Sequence, residues 1–245
     1  MRKLILFVVG VCASVVLSAQ SRWSVTPEAG LVVNKENEGI VTTLGFKAGA
    51  GVSYLFKEGR GKKPSFGLKS GLYVLMQKGG YHPMSWGNIS TGNGFRLDYE
   101  KTSVESTRYY LQLPVMAQWS SKLGGDVRLN LAVGPYVAVG IGGRTHAYVA
   151  SSKYGNVDEE TGIGSYEFRN DYYRFHTFEG KKVNEEFGFD ASPRLDWGGT
   201  VSAGITVKRI SFAIGYDLAW GKYHKKQNDW RIRNHMVSFT FGYTF

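Results

Sequence analysis

The chain has 245 residues, a net charge of +10, 14% aromatic residues, 32 glycines and one cysteine, Cys12. A single cysteine excludes an internal disulfide framework and a multi-thiolate metal site. No linker-like Pro or Ser tract divides the remainder, so one domain of about 225 residues is expected behind an N-terminal segment.

That segment comes first. Arg2 and Lys3 precede an apolar run from Leu4 to Leu17, followed by Ser18-Ala19-Gln20. A positive start, a short apolar stretch and a small residue before the cut are the pattern of a Sec signal peptide. Residues 1–19 are therefore expected to leave by cleavage after Ala19, with Leu17 an awkward residue two positions earlier. The run falls short of the roughly 20 apolar residues a spanning helix needs. Cys12 follows Val11, where lipoprotein cleavage wants a small residue, so a lipoprotein is excluded. Cleavage leaves residues 20–245 without cysteine and lowers the charge to +8. An exported basic chain meets anionic lipid rather than nucleic acid.

Downstream, period-two alternation predicts about eight strands, near residues 23–33, 43–56, 66–76, 109–119, 127–141, 195–207, 210–220 and 237–245. In the seventh, Ile210, Phe212, Ile214, Tyr216, Leu218 and Trp220 oppose Ser211, Ala213, Gly215, Asp217 and Ala219. In the eighth, Val237, Phe239, Phe241, Tyr243 and Phe245 oppose Ser238, Thr240, Gly242 and Thr244. Strands of about ten residues or more suffice to cross a bilayer at a tilt. The polar face is Gly, Ser and Thr with few charges, whereas a water-facing surface would carry many more. Small residues suit the filled interior of an eight-stranded barrel, so the apolar face points to lipid.

The links fall near 34–42, 57–65, 77–108, 120–126, 142–194, 208–209 and 221–234. Apart from the first, the odd-numbered ones are long, as in outer-membrane barrels with long extracellular loops and short periplasmic turns. The predicted fold is thus all-β, a transmembrane antiparallel up-and-down barrel. Trp23, Tyr54, Phe56, Phe66, Trp119, Phe212, Tyr243 and Phe245 fall on the outward parity near the periplasmic rim, and Tyr109, Trp197 and Trp220 near the other. Amphipathic rings at both interfaces form an aromatic girdle.

Several segments carry a resemblance. Tyr110-Leu111-Gln112-Leu113-Pro114-Val115, Gly134-Pro135-Tyr136, Arg194-Leu195-Asp196-Trp197-Gly198 and the closing Phe-Gly-Tyr-Thr-Phe resemble the PorT-like outer-membrane β-barrel family of Bacteroidetes, in order and across nearly the whole mature chain. The resemblance implies an eight-stranded barrel like those of OmpA and OmpX. One member of that family takes part in type IX secretion. The terminal Phe245 resembles the signal read by the barrel-assembly machinery.

On the inward parity lie Glu28, Lys47, Lys69, Arg128, Asp196 and Asp217. Buried charges must pair or keep water, so these six are expected to form a salt-bridged plug. The alternative is a selective pore or a proton path. His82, His146, His176, His224 and His235 lie in or beside the outer loops, with no adjacent Ser placed on the same strand face and no zinc spacing. No catalytic, cofactor or metal residue is assigned. Lys222, Lys225, Lys226, Arg231 and Arg233 surround Trp230 in the last link, where they could hold lipopolysaccharide phosphates or simply snorkel. The fifth link holds Asp158-Glu159-Glu160, a solvated turn or a calcium ligand set. It also holds the aromatic run Tyr166, Phe168, Tyr172, Tyr173, Phe175 and Phe178, whose alternation predicts either a hairpin beyond the membrane or an extension of the flanking strands. The expectation is a non-enzymatic barrel with a structural or partner-binding role, its outer loops meeting a protein or glycan. The alternatives are a lipid-active enzyme, a narrow channel, or an accessory component of a type IX-like secretion system.

Overall fold

The computed structural model describes residues 22–36, 42–57, 63–81, 84–91, 94–155, 165–178, 194–220 and 234–245. The expected signal peptide, the basic cluster of the last link and Asp158-Glu159-Glu160 lie outside these residues, as do His82 and His224.

The strands are β1 (Trp23–Glu36), β2 (Thr42–Lys57), β3 (Ser65–Tyr81), β4 (Met84–Thr91), β5 (Gly94–Gly124), β6 (Val127–Gly155), β7 (Ser165–His176), β8 (Leu195–Val207), β9 (Ile210–Ala219) and β10 (Asn234–Tyr243). Every pairing is antiparallel. Eight strands close into a ring in the order β1-β2-β3-β5-β6-β8-β9-β10, and β10 returns to β1 from Glu28↔Gly242 to Glu36↔Asn234. Closure leaves no unpaired edge among these eight within the wall. The predicted barrel is therefore the observed one.

One rim, called lower here, carries the tight turns. Gly125 and Lys208 turn the chain there with φ of 52° and 56°. Glycine enters that left-handed region without steric cost, while Lys208 is one of the uncommon side-chain-bearing residues that do so. The upper rim carries the long links.

Two strands overshoot the wall. β5 and β6 span 31 and 29 residues, far beyond the roughly 9–11 that a tilted strand needs to cross a bilayer. They pair from Gly124↔Val127 up to Leu97↔Tyr154. β4 joins the upper part of β5 and β7 the upper part of β6, giving a four-stranded sheet that stands above the barrel. The long fifth link thus opens as a hairpin, from β6 into β7.

A bulge separates wall from sheet. Tyr110 faces Gly140 while Tyr109 faces Gly142, so Ile141 has no partner. An extra residue in one strand inverts its alternation beyond that point. Below the bulge the odd residues Val133, Val137, Val139 and Ile141 are exposed, and above it the even residues Arg144 and His146 are.

The wall shows the parity the sequence predicts. Val133 is 60% exposed and Ile214 56%, whereas the inward Gln112 and Asp217 are 0% and 2%. No helix among the described residues is long and apolar enough to cross a membrane. An apolar exterior around a polar filled interior is the arrangement required when lipid is the solvent.

Candidate functional site

The lumen divides into three tiers, the lowest a cavity and the upper two packed. At the lower rim lies a polar cavity of about 430 Å³, with Ser24, Lys122, Asp126, Arg128 and Arg209 in its lining and Glu28 and Lys69 also reaching it. Asn130 ties this wall together, accepting from Ser120 Oγ at 2.7 Å and donating to Thr206 Oγ1 at 2.9 Å.

Charges occupy the middle tier. Lys69 Nζ on β3 meets Glu28 Oε1 on β1 at 2.7 Å. The Tyr73 hydroxyl points to the other Glu28 oxygen at 3.4 Å. Tyr73 is 2% exposed, and its side chain lies over glycines, since a Cβ on Gly51 would fall 2.7 Å from its hydroxyl and one on Gly71 2.6 Å from its ring. Lys47 sits 4.7 Å from the Tyr73 ring centroid, a cation–π arrangement, and 4.0 Å from Asp217 Oδ2. Gln112 Nε2 donates to that same oxygen at 3.0 Å, and Thr200 Oγ1 donates to Asp217 Oδ1. Asp217 is thus a buried carboxylate surrounded by donors from β2, β5 and β8, which is how a charge becomes tolerable away from water. The Tyr136 hydroxyl reaches toward Asp196 Oδ2 at 3.4 Å.

The upper tier is apolar. Val32, Leu75, Tyr110, Tyr136, Ala138, Phe178 and Met236 form one buried cluster. Phe178 belongs to the turn after β7, which folds back into the barrel mouth. Its ring stands edge-on to Tyr110 at 5.3 Å and covers Gly140, where a Cβ would meet it at 2.6 Å. Thr177 N donates to Gly143 O, Thr177 and Thr145 share a hydroxyl bond, and Arg194 Nε donates to Phe178 O. These bonds fix the fold-back in place.

Aromatic rings pair on the outside near both rims. Near the lower rim Trp23 lies tilted against Tyr54 at 4.6 Å, while Tyr54 meets Phe56 at 5.5 Å and Tyr243 meets Phe245 at 4.9 Å, both edge to face. Near the upper rim Trp197 meets Trp220 at 5.5 Å, edge to face.

Residues 9–222 match the family described as "Outer membrane protein beta-barrel domain". The chain belongs to that family of outer-membrane β-barrels. The upper rim, with its long links, is accordingly the outer one and the lower rim the periplasmic one. Among solved structures, the chain is similar to Ail of Yersinia pestis, at 11% identity over 92% of this chain and 100% of that one, with a TM-score of 0.36. It is also similar to the outer membrane enzyme PagL, at 10% identity over 88% and 98%, with a TM-score of 0.33. Neisserial surface protein A matches at 13% identity over 91% and 97%, with a TM-score of 0.32. No curated protein matches the sequence.

In the outer-membrane barrel the six inward charges stand as follows. Glu28 pairs with Lys69 and Lys47 with Asp217, while Asp196 lies beside Tyr136. Arg128 stands apart at the periplasmic cavity and forms no ion pair with another described residue. Sequence alternation alone does not single out Tyr73, Gln112, Thr200 or the buried Arg108, all inward-facing on strands of the ring, nor the capping role of Phe178. Among the described residues no group of three His, Cys, Asp or Glu could hold a metal ion. His235 Nδ1 lies 2.5 Å from the Tyr216 hydroxyl. His146 and His176 lie on the outward face of the projecting sheet. Of the fifth link's aromatic run, Phe168 and Tyr172 are exposed on that face, and Tyr173 and Phe175 sit half-buried on the other.

Proposed function

We propose that this outer-membrane protein is a closed, non-enzymatic anchor whose working surface is the projecting sheet of β4, β5, β6 and β7, presented to a protein or glycan outside the cell. The observation that carries this reading is the filled lumen. The Asp217 and Glu28 clusters and the Phe178 cap occupy successive levels of one narrow interior, while two wall strands are prolonged well beyond the bilayer. A pore has no use for a buried charged tier with an apolar cap packed above it, and prolonged strands with paired neighbours make a rigid display surface. The PorT-like resemblance of Tyr110-Leu111-Gln112-Leu113-Pro114 makes an accessory role in a type IX-like secretion complex one form this partner-binding could take. The test is planar-bilayer recording of the refolded mature protein, together with incubation against lipid A and phospholipid. The expected result is no steady current and no lipid hydrolysis. A steady charge-selective current, or a released acyl chain, overturns the reading.

A second reading, lipid hydrolysis, has one observation in its favour. His146 faces Glu105 across β6 and β5, with Ser103 two residues along from Glu105 on the same outward face. His146 forms no ion pair with Glu105 in the structure, and such chemistry needs an oriented imidazole beside its nucleophile. Loss of acyl-chain release on Ser103→Ala would be its signature.

A further inference from the structure

The outward face of the projecting sheet is ordered by height. Its lowest row above the bulge is Thr107, Arg144 and His176, the next is Glu105, His146 and Arg174, and the third is Ser103, Tyr148 and Tyr172. Arg144, His146, Arg174 and His176 are exposed. Tyr172 is 80% exposed and its ring lies 4.7 Å from that of Tyr148. Directly beneath, the exposed Val133, Val137, Val139 and Ile141 of β6 face the acyl chains.

Register fixes the level of these rows. Tyr109 lies on the outward parity opposite Gly142, just above Ile141, the uppermost of the large exposed apolar residues of β6. Arg144 is thus two residues above that ring and His146 four. At about 3.3 Å per residue and a tilt near 40°, that is roughly 5–10 Å above the ring level. The headgroup layer outside the hydrocarbon core is about 5–8 Å thick on each side. The block of two arginines and two histidines therefore stands at the depth of the outer leaflet's headgroups and faces away from the barrel axis, toward them.

Positive charge is in excess there. Arg144 and Arg174 are diagonal neighbours across β6 and β7, and like charges so placed repel. Glu105 is the one carboxylate in these rows, and neither arginine forms an ion pair with another described residue. An anion between them would relieve the repulsion, and guanidinium forks bind phosphate in two-pronged fashion. The tyrosine pair above adds exposed ring faces further from the membrane. Acyl chains below, phosphate at the surface and sugar rings above it are the layers of a phosphorylated glycolipid.

We propose that Arg144 and Arg174, with His146 and His176 beside them and Tyr148 and Tyr172 above, form a binding site for a phosphorylated glycolipid of the outer leaflet. The site clamps one such lipid against the β6–β7 side of the barrel and steadies the projecting sheet on the membrane surface.

The experiment uses the full mature protein folded in mixed micelles and titrated with bis-phosphorylated lipid A, its dephosphorylated form or phosphatidylglycerol. Folding of each variant is verified by heat-modifiable migration. The wild type is expected to bind bis-phosphorylated lipid A at one per barrel and to prefer it to both other lipids. Arg144→Gln with Arg174→Gln should weaken binding at least about tenfold, the loss of one or more charge-assisted bonds. Arg174→Gln alone should give an intermediate loss and decides the matter if the double variant does not fold. Arg169→Gln removes the same charge from the opposite face, where Arg169 meets Asp171 at 2.5 Å, and should leave binding unchanged. Equal affinity for the dephosphorylated form overturns the phosphate site, and equal affinity for phosphatidylglycerol overturns the glycolipid. An Arg169→Gln loss matching that of the double variant reduces the effect to overall charge and overturns the site.

Discussion

Asp217 shows how much a single inward residue depends on its ring of neighbours. Lys47, Gln112 and Thr200 arrive from three other strands to satisfy one carboxylate that is 2% exposed. Asp217→Ala leaves the Lys47 ammonium without its counter-charge and two hydrogen-bond donors without an acceptor. The expected loss is about 3–5 kcal/mol, read as a lowered urea midpoint of the folded barrel in lipid. Arg128 is the contrasting case, because its surroundings are a cavity open to water rather than a carboxylate. Arg128→Met should change the stability read from the same midpoint by no more than about 1 kcal/mol. Both residues share the inward parity, and parity alone does not distinguish them. What separates them is height along the barrel axis, which depends on register and shear and is not written in the alternation of either strand.

At the scale of the element, each wall strand follows a rule of two, and its two faces tolerate opposite changes. Ile214 is exposed to lipid opposite Phe239 and Ala203, while Ala213 faces the lumen beside it. Ile214→Arg should cost on the order of 2–4 kcal/mol if the residue lies near the midplane, and Ala213→Ser should be nearly silent. Equal effects in the same urea titration would reverse the assignment of faces. The ring of eight was legible because lipid imposes that alternation on every crossing. Two features were not. The bulge is hidden because Ile141 reads as one more outward apolar residue, and the flanking Gly140, Gly142 and Gly143 can sit on either face. The upper reach of β5 is hidden because, above the membrane, residues such as Thr102, Ser103 and Glu105 no longer separate into apolar and polar sides although pairing continues. The extension of β6, by contrast, is one of the two readings that the fifth link offers. Since Ile141 is the unpartnered residue, deleting it should restore regular pairing and leave Arg144 outward. The barrel is expected to fold with unchanged heat-modifiable migration, whereas deletion of Val137 inverts the strand above it and should block assembly.

For the whole molecule, the consequence of stacked tiers is redundancy. Phe178→Ala removes the ring that covers Gly140, yet the Asp217 and Glu28 clusters still stand below it. Planar-bilayer recordings of Phe178→Ala should therefore remain silent, and a current from this single substitution would mean that the middle tier is wetter than its buried side chains indicate. Six inward charges were readable in advance, but the buried Arg108 was not, because it falls in the stretch 77–108 that reads as a link. The neutral residues between them were not, because Tyr73, Gln112 and Thr200 carry no sign that demands a partner until the ring closes and places them beside Glu28 and Asp217.

The Phe178 fold-back also sets an order in time. Phe178 lies in the turn that follows β7 and enters the mouth from outside the cell, held by Thr145, Gly143 and Arg194. It can take that place only after the β6–β7 hairpin has crossed the membrane, and the hairpin must cross while the wall is still incomplete or open. Insertion and sealing are thus separate events, with the stopper arriving last and from the far side. A newly inserted barrel passes through a moment when Phe178 does not yet stopper its outer mouth, and among the described residues the clusters beneath then carry the barrier against leakage from the cell.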